Sequence, residues 1–405
     1  MSASGLLTPL RSKDYRMLWL AQLVSVIGDK VHQIAMSVMV YKVTGSLMHV
    51  GIMLAITTLP AVLFGMAAGV FVDRWDRRLT MVVSDLLRAA IVLSIPWLVR
   101  LGMPFFYLAA FSVATVSLFF EPARLSLIPD IVERDELMAA NSLDNVTTSV
   151  SELLGLAFGA GLVSMIGVSS AFVFDGVTFL VSARFVALLS KRKRAVVEGE
   201  PTERFSGQLG RGLRHIGEQP VLRELVVVYS LAAAGIAASI TAVNGLALER
   251  FGTGAVDERA VGLAILDSAI TVGLLLGSVS VGQSGVGNAG RKFLASLGVF
   301  GLAFALVALA PTLPLAMPLL VVGGVANMWF YIPGATIIQR TSRADYLGRV
   351  FAAKNALSRV ATVAGFLISG IMAERLGLPV TVAIIGASIV AVSLFGWSRG
   401  ALRNA

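Results

Sequence analysis

Gly69-Val-Phe-Val-Asp-Arg-Trp-Asp-Arg-Arg78 is the stretch on which the reading of this chain turns. Half of its residues are charged (Asp73, Arg74, Asp76, Arg77 and Arg78), and the sequence on either side is almost pure hydrocarbon. A short charged loop between two long apolar segments marks a chain that leaves a bilayer, turns and re-enters it.

Composition agrees with that reading. The 405 residues are 56% hydrophobic and 14% charged, and the mean hydropathy is +0.83. A water-soluble globule does not have this balance. A spanning helix needs about 20 mostly apolar residues. Runs of that kind occur at roughly 17–41, 48–72, 80–99, 104–120, 142–166, 170–190, 222–248, 260–281, 292–310, 314–338, 350–373 and 379–398. The predicted fold class is an all-α membrane protein with twelve transmembrane helices, the fourth of them short.

Lys and Arg should gather on the cytoplasmic side. With the N-terminus inside, the inner loops hold Arg11, Lys13, Arg16, Arg74, Arg77, Arg78, the run Lys191-Arg-Lys-Arg194 and many more, against only Lys42, Arg100, Arg250, Arg259 and Arg375 outside. Both termini are therefore expected to be cytoplasmic. The same bias accounts for the net charge of +9 without nucleic acid, and Lys191 to Arg194 suits anionic lipid headgroups. The first apolar segment is too long for a cleavable signal peptide and carries Asp29, so it is expected to remain. There is no cysteine, and His32, His49 and His215 are too scattered for a metal cluster; no metal or cofactor is expected.

The long polar interval 191–220 divides the chain into an N-terminal six-helix bundle (1–190), a cytoplasmic linker and a C-terminal six-helix bundle (221–405). An internal repeat supports two pseudo-symmetric halves. Pro122-Ala-Arg-Leu-Ser-Leu-Ile-Pro-Asp leads to Leu137-Met-Ala-Ala-Asn-Ser-Leu143, and Pro333-Gly-Ala-Thr-Ile-Ile-Gln leads to Val350-Phe-Ala-Ala-Lys-Asn-Ala-Leu357. In each, a proline near a helix exit precedes a charged loop and an Ala-Ala-(x)-Asn-x-Leu helix start. Gly282 to Lys292 looks like a decayed copy of the opening loop that keeps the Gly and the final basic pair.

Read as GxxxDRxxRR, the opening stretch resembles the loop between the second and third helices of major facilitator superfamily transporters, usually G-x-x-x-D-(R/K)-x-G-(R/K)-(R/K). Asp76 stands where that family most often has Gly. Asp29, Asp73-Arg74 with Arg77-Arg78, Pro122-Ala123 and Leu347-Gly-Arg-Val350 look most similar to a drug-efflux branch that includes macrolide exporters. Siderophore exporters and lysophospholipid transporters are related to that branch. The resemblance implies an inner gate of Gly69, Asp73, Arg74, Arg77 and Arg78. Asp73 would cap the eleventh helix near Arg349 or Val350, and Glu121 would accept a salt bridge. It also implies that the first, fifth and eighth spans face a central cavity and that the sixth is peripheral.

Ionisable residues inside spans are costly and default to function. Asp29 is the strongest candidate for proton coupling or substrate charge, followed by Glu152 and Asp267. Lys30 adjoins Asp29, but neighbours point to different faces of a helix. Asp85 and Arg88, three apart, are expected to pair near the inner gate. Asp175 and Arg184, on the sixth span, rank below. Gly155, Gly159 and Gly161 form a small-residue pattern for close helix approach; it partly resembles the antiporter signature G-x-x-x-G-P, with Ala160 in place of proline. Gln33, Met36, Asn244, Asn327, Trp329, Phe330 and Tyr331 offer aromatic, thioether and amide groups for a cavity that adapts to amphiphiles.

The expectation is a monomeric secondary transporter working by alternating access in the plasma (inner) membrane of a prokaryote. It would exchange protons for amphiphilic, neutral or cationic compounds. Export of a siderophore or movement of a lysophospholipid is the alternative within transport, and a non-transporting sensor or scaffold the alternative outside it. No Walker, HExxH or GxSxG motif points to ATP drive or enzymatic chemistry.

Overall fold

Among the described residues, twelve long helices, with two short ones beside them, account for almost all of the regular structure. The computed structural model describes residues 7–65, 71–72, 75–190, 205–283, 287–343 and 346–405. In chain order the helices are α1 (Lys13–Thr44), α2 (Leu47–Leu63), α3 (Arg77–Leu101), α4 (Met103–Ile131), α5 (Leu137–Ile166) and α6 (Val168–Ala187). Then come α7 (Phe205–Glu218), α8 (Pro220–Gly245), α9 (Ala260–Gly282), α10 (Ala289–Val307), α11 (Leu313–Thr341), α12 (Leu347–Leu376), α13 (Leu378–Trp397) and the single turn α14 (Gly400–Arg403). Eleven are long and apolar enough to cross a membrane, and the shorter apolar α2 makes a twelfth. Only helices keep every backbone group satisfied within one segment in lipid.

The boundaries differ from the sequence reading in ways that have causes. The fourth span is not short: α4 runs for 29 residues, through Pro122 and Pro129. Likewise α11 continues through Pro333, so neither repeat proline marks a helix exit. Proline removes a single backbone donor, and the rest of a long helix tolerates that locally. The interval between the halves contains the helix α7. Gly102 and Gly167 are each the only residue between two helices, at φ 124° and 103°. This backbone is open to glycine and strained for other residues.

Asp76, the departure from the family pattern, has a local explanation. It is the N-cap of α3, and its carboxylate accepts a hydrogen bond from the Leu79 amide at 2.7 Å. Asp76→Ala should lower stability by about 1 kcal/mol, measured by thermal unfolding in detergent; an unchanged midpoint would refute the capping role.

The chain forms two compact units. The first comprises Met1–Thr44, Ile56–Arg194 and Thr253–Ala264, and the second Gly45–Ala55, Ala195–Gly252 and Ile265–Ala405. In the first, Lys42 pairs with Asp257 at 2.6 Å, and α1 and α3 each pack on α6. A core of Tyr15, Leu18, Met81, Phe120, Ile128 and Leu143 closes one end of that unit. In the second, the start of α2 lies against α12, where a Cβ on Gly51 would meet the Phe366 carbonyl oxygen at 2.5 Å. The major packing pairs there are α8 with α12, and α10 with α11 and α13.

Candidate functional site

Helical periodicity aims a set of polar side chains into the interior of the first unit. Residues three, four or seven apart share a helix face. On that rule Asp29 and His32 project from α1, Asp85 and Arg88 from α3, and Asp175, Thr178 and Ser182 from α6. Arg88 donates to Asp85 Oδ1, and Ser182 Oγ donates to Asp85 Oδ2 at 2.7 Å. The guanidinium lies between two aromatic rings, 4.5 Å from the Phe120 centroid and 4.2 Å from that of Phe179. Asp85, Arg88 and Asp175 are all buried.

Asp175 Oδ2 stands 3.0 Å from His32 Nδ1, although neither atom has an aligned hydrogen-bond partner. The imidazole is held edge-on to Phe172, and Thr178 Oγ1 donates to the Asp175 carbonyl at 2.7 Å. Asp29 is accessible and lies within electrostatic reach of Arg88, Asp175, His32 and Asp85. Gly28 permits this assembly: a Cβ there would sit 2.1 Å from Thr178 Oγ1 and 2.6 Å from Asp175 Oδ1. Three carboxylates thus surround one permanent cation and one histidine.

Other charges of the first unit are tied more simply. Lys30 pairs with Glu152 at 3.4 Å across the α1–α5 contact. Gly155 and Gly159 make that contact close, since a Cβ on either would meet α1 backbone at 2.9 and 3.0 Å; Gly161 faces open space. Arg77 donates to the Ser126 carbonyl at 2.7 Å and to Asp130 at 2.5 Å. Arg78 donates to the Val186 and Ala187 carbonyls at the end of α6. Arg124 holds Glu121 with two hydrogen bonds, at 2.9 and 2.7 Å, and reaches Asp144 at 2.6 Å.

The second unit contains cavities. One of about 190 Å³ is lined by Ser239, Asp267, Phe300, Phe304, Leu320 and Asn327, among others. Another of about 210 Å³ is lined by Tyr229, Asn327, Phe330, Tyr331 and Thr362 with small and aliphatic side chains. Ile236, Ile240 and Asn327 border both. The rings form a wall, with Phe330 4.6 Å from Phe293 and 4.8 Å from Tyr229.

A family described as transmembrane secretion effectors, within the major facilitator transporters, matches residues 4–403. The chain belongs to this family. Among its relatives, the multidrug efflux pump Tap of Mycolicibacterium fortuitum is 26% identical over 90% of both chains. The macrolide efflux protein A of Streptococcus pyogenes is 22% identical over 93% of both. The crystal structure of the nucleoside transporter NupG superposes with a TM-score of 0.75, covering 95% of this chain and 98% of that one at 10% identity. The resemblance shared with NupG is therefore one of fold. The chain is a multi-pass membrane transporter with efflux pumps among its homologues.

Within this transporter the residues singled out from sequence are distributed as follows. Asp29, itself exposed, borders the buried cluster that holds Asp85 and Arg88, whose pair lies inside the bundle with Ser182. Glu152 belongs to the Lys30 pair, and Asp267 lines a cavity of the second unit. Glu121 is engaged by Arg124 rather than by Arg77 or Arg78, because the i, i+3 spacing places the two on one face of α4. Gly69, Asp73 and Arg74 lie outside the described residues; α12 begins at Leu347 after Tyr346, which makes no side-chain cap.

Met36 is packed core at 3% exposure, whereas Gln33 is exposed. Asn244 is buried, with Nδ2 donating to the Ile240 carbonyl. Asn327, Phe330 and Tyr331 share a cavity, but Trp329 points elsewhere, donating to Ser280 Oγ at 2.8 Å. Three residues gain weight that sequence alone did not give them. Asp175 comes from the sixth span, His32 is one of three scattered histidines, and Lys354 lies within the second Ala-Ala-(x)-Asn repeat. The signal for all three was the same, an ionisable side chain inside an apolar run.

Proposed function

We propose that the protein exports amphiphilic compounds, drugs among them, in exchange for protons. It would work by alternating access in a prokaryotic plasma (inner) membrane with both termini cytoplasmic. The observation that carries the coupling is the charge imbalance in the first unit. Asp29, Asp85 and Asp175 gather near Arg88, the cation that pairs with Asp85. Each uncompensated charge in a membrane interior costs about 2.5–3.5 kcal/mol or more, so the cluster favours taking up protons. Ser182 and Thr178 are its neutral hydrogen-bonding neighbours. Asp29, the accessible member, is the place for a proton to enter. Efflux pumps among the relatives support the outward direction.

A lysophospholipid reading keeps one specific support. An apolar groove of about 380 Å³ on α10 and α11 is bordered by Lys292 and Trp329, which suits an acyl chain beneath an anionic headgroup.

Purified protein in liposomes with an imposed pH gradient tests both. Dye and lysolipid movement are followed beside Asp29→Asn. The expected result is gradient-driven dye transport that falls about ten-fold or more in the variant. Transport indifferent to the gradient, or equal in the variant, would remove proton coupling; movement of lysolipid alone would favour the lipid reading.

A further inference from the structure

Lys354 is a buried cation that the proton-handling cluster does not use. It lies on α12 at 5% exposure, and no carboxylate pairs with it among the described residues. Its ammonium instead sits 3.9 Å from the ring centroid of Tyr229 and 5.8 Å from that of Tyr331. Both rings line the 210 Å³ cavity.

Burying an ammonium without an anion is expensive, and contact with ring faces offsets only part of that cost. A lysine retained only for packing would be better replaced by Met or Leu. The nearer ring is itself fixed: Tyr229 is buried, Phe330 packs on it, and Gly334 gives both Tyr229 and Phe293 room, since a Cβ there would meet them at 3.2 and 2.9 Å; Tyr331 is half exposed. A fixed aromatic wall beside a lone charge contributes to a pre-organised site. The apolar 190 Å³ cavity adjoins it through Ile236, Ile240 and Asn327 and provides room for a hydrocarbon body.

We propose that Lys354 is the headgroup subsite of a substrate cavity in the second unit, where it takes the carboxylate of an amphiphile whose apolar body lies against Tyr229, Phe330 and Tyr331. This deepens the exporter reading and rests on it. It also changes the substrate: carboxylates in the first unit suggest cations, whereas this site calls for an anionic or zwitterionic compound. Asp267, on the adjoining cavity, suits the amino group of a zwitterion at the far end.

The test is equilibrium binding, by calorimetry on protein in lipid nanodiscs, of 1-naphthaleneacetate and its neutral twin 1-naphthaleneacetamide. The wild type should bind the acid about ten-fold tighter than the amide, as expected of one charge-assisted contact. Lys354→Met should bring the ratio to about one by weakening the acid alone; Lys354→Arg should keep the preference. Equal binding of the two compounds by the wild type, absence of binding, an unchanged ratio in Lys354→Met, or equal weakening of both compounds there would overturn the proposal. Binding needs no transport, so the exporter reading fails separately, if wild-type proteoliposomes move neither these probes nor dye.

Discussion

Arg88→Met is expected to be among the most destabilising single substitutions in this protein. It leaves Asp85 fully buried with only the Ser182 hydroxyl as a partner, and removing one member of a buried ion pair costs about 3–5 kcal/mol. It also empties the slot between Phe120 and Phe179 that the guanidinium fills. Methionine restores part of that packing, so the remaining loss reports the charge. Adding Asp85→Asn should recover most of the stability, because the isosteric amide can still accept from Ser182 and carries no charge. Denaturant titration of the two single variants and the double variant in detergent gives the cycle. A loss below about 1 kcal/mol for Arg88→Met, or no recovery in the double variant, would show that the pair does not hold the bundle.

Gly28→Ala is the second. The added Cβ would lie 2.1 Å from Thr178 Oγ1 and 2.6 Å from Asp175 Oδ1, distances no real contact has. Thr178 and Asp175 must turn aside or α1 and α6 must separate, at an overpacking cost of about 1–3 kcal/mol. Either movement disturbs the approach of Asp175 to His32, so gradient-driven transport should fall together with the melting temperature. Thr178→Ala removes the nearest obstacle and should rescue part of both in the double variant. If Gly28→Ala keeps full stability and full transport, the close approach of α1 and α6 is not what assembles the cluster.

These two substitutions illustrate how unevenly the site could be read from sequence. Asp29 stood out at once, because a carboxylate in an apolar run needs no partner to be conspicuous. The Asp85–Arg88 pair followed from helical spacing alone. Its company did not: Asp175 is distant along the chain from Asp29, and nothing local says that the two come together. Lys354 is the sharpest instance, since it stands in a quoted repeat and becomes informative only beside the rings of Tyr229 and Tyr331. Trp329 and Phe330 are neighbours in sequence, yet the first bonds to Ser280 and the second walls a cavity, as adjacent helix positions must diverge.

By itself the sequence determined class, span number and family. Solvent alone dictates those features: a bilayer demands long apolar helices and tolerates charge only between them or for a purpose. The lengths of α4 and α11 beyond their prolines, the cap at Asp76 and the grouping of buried charges were decided by tertiary structure. Such features depend on which helix faces meet and how closely. Here a missing side chain at Gly28 lets α1 and α6 approach, and Asp175 reaches His32.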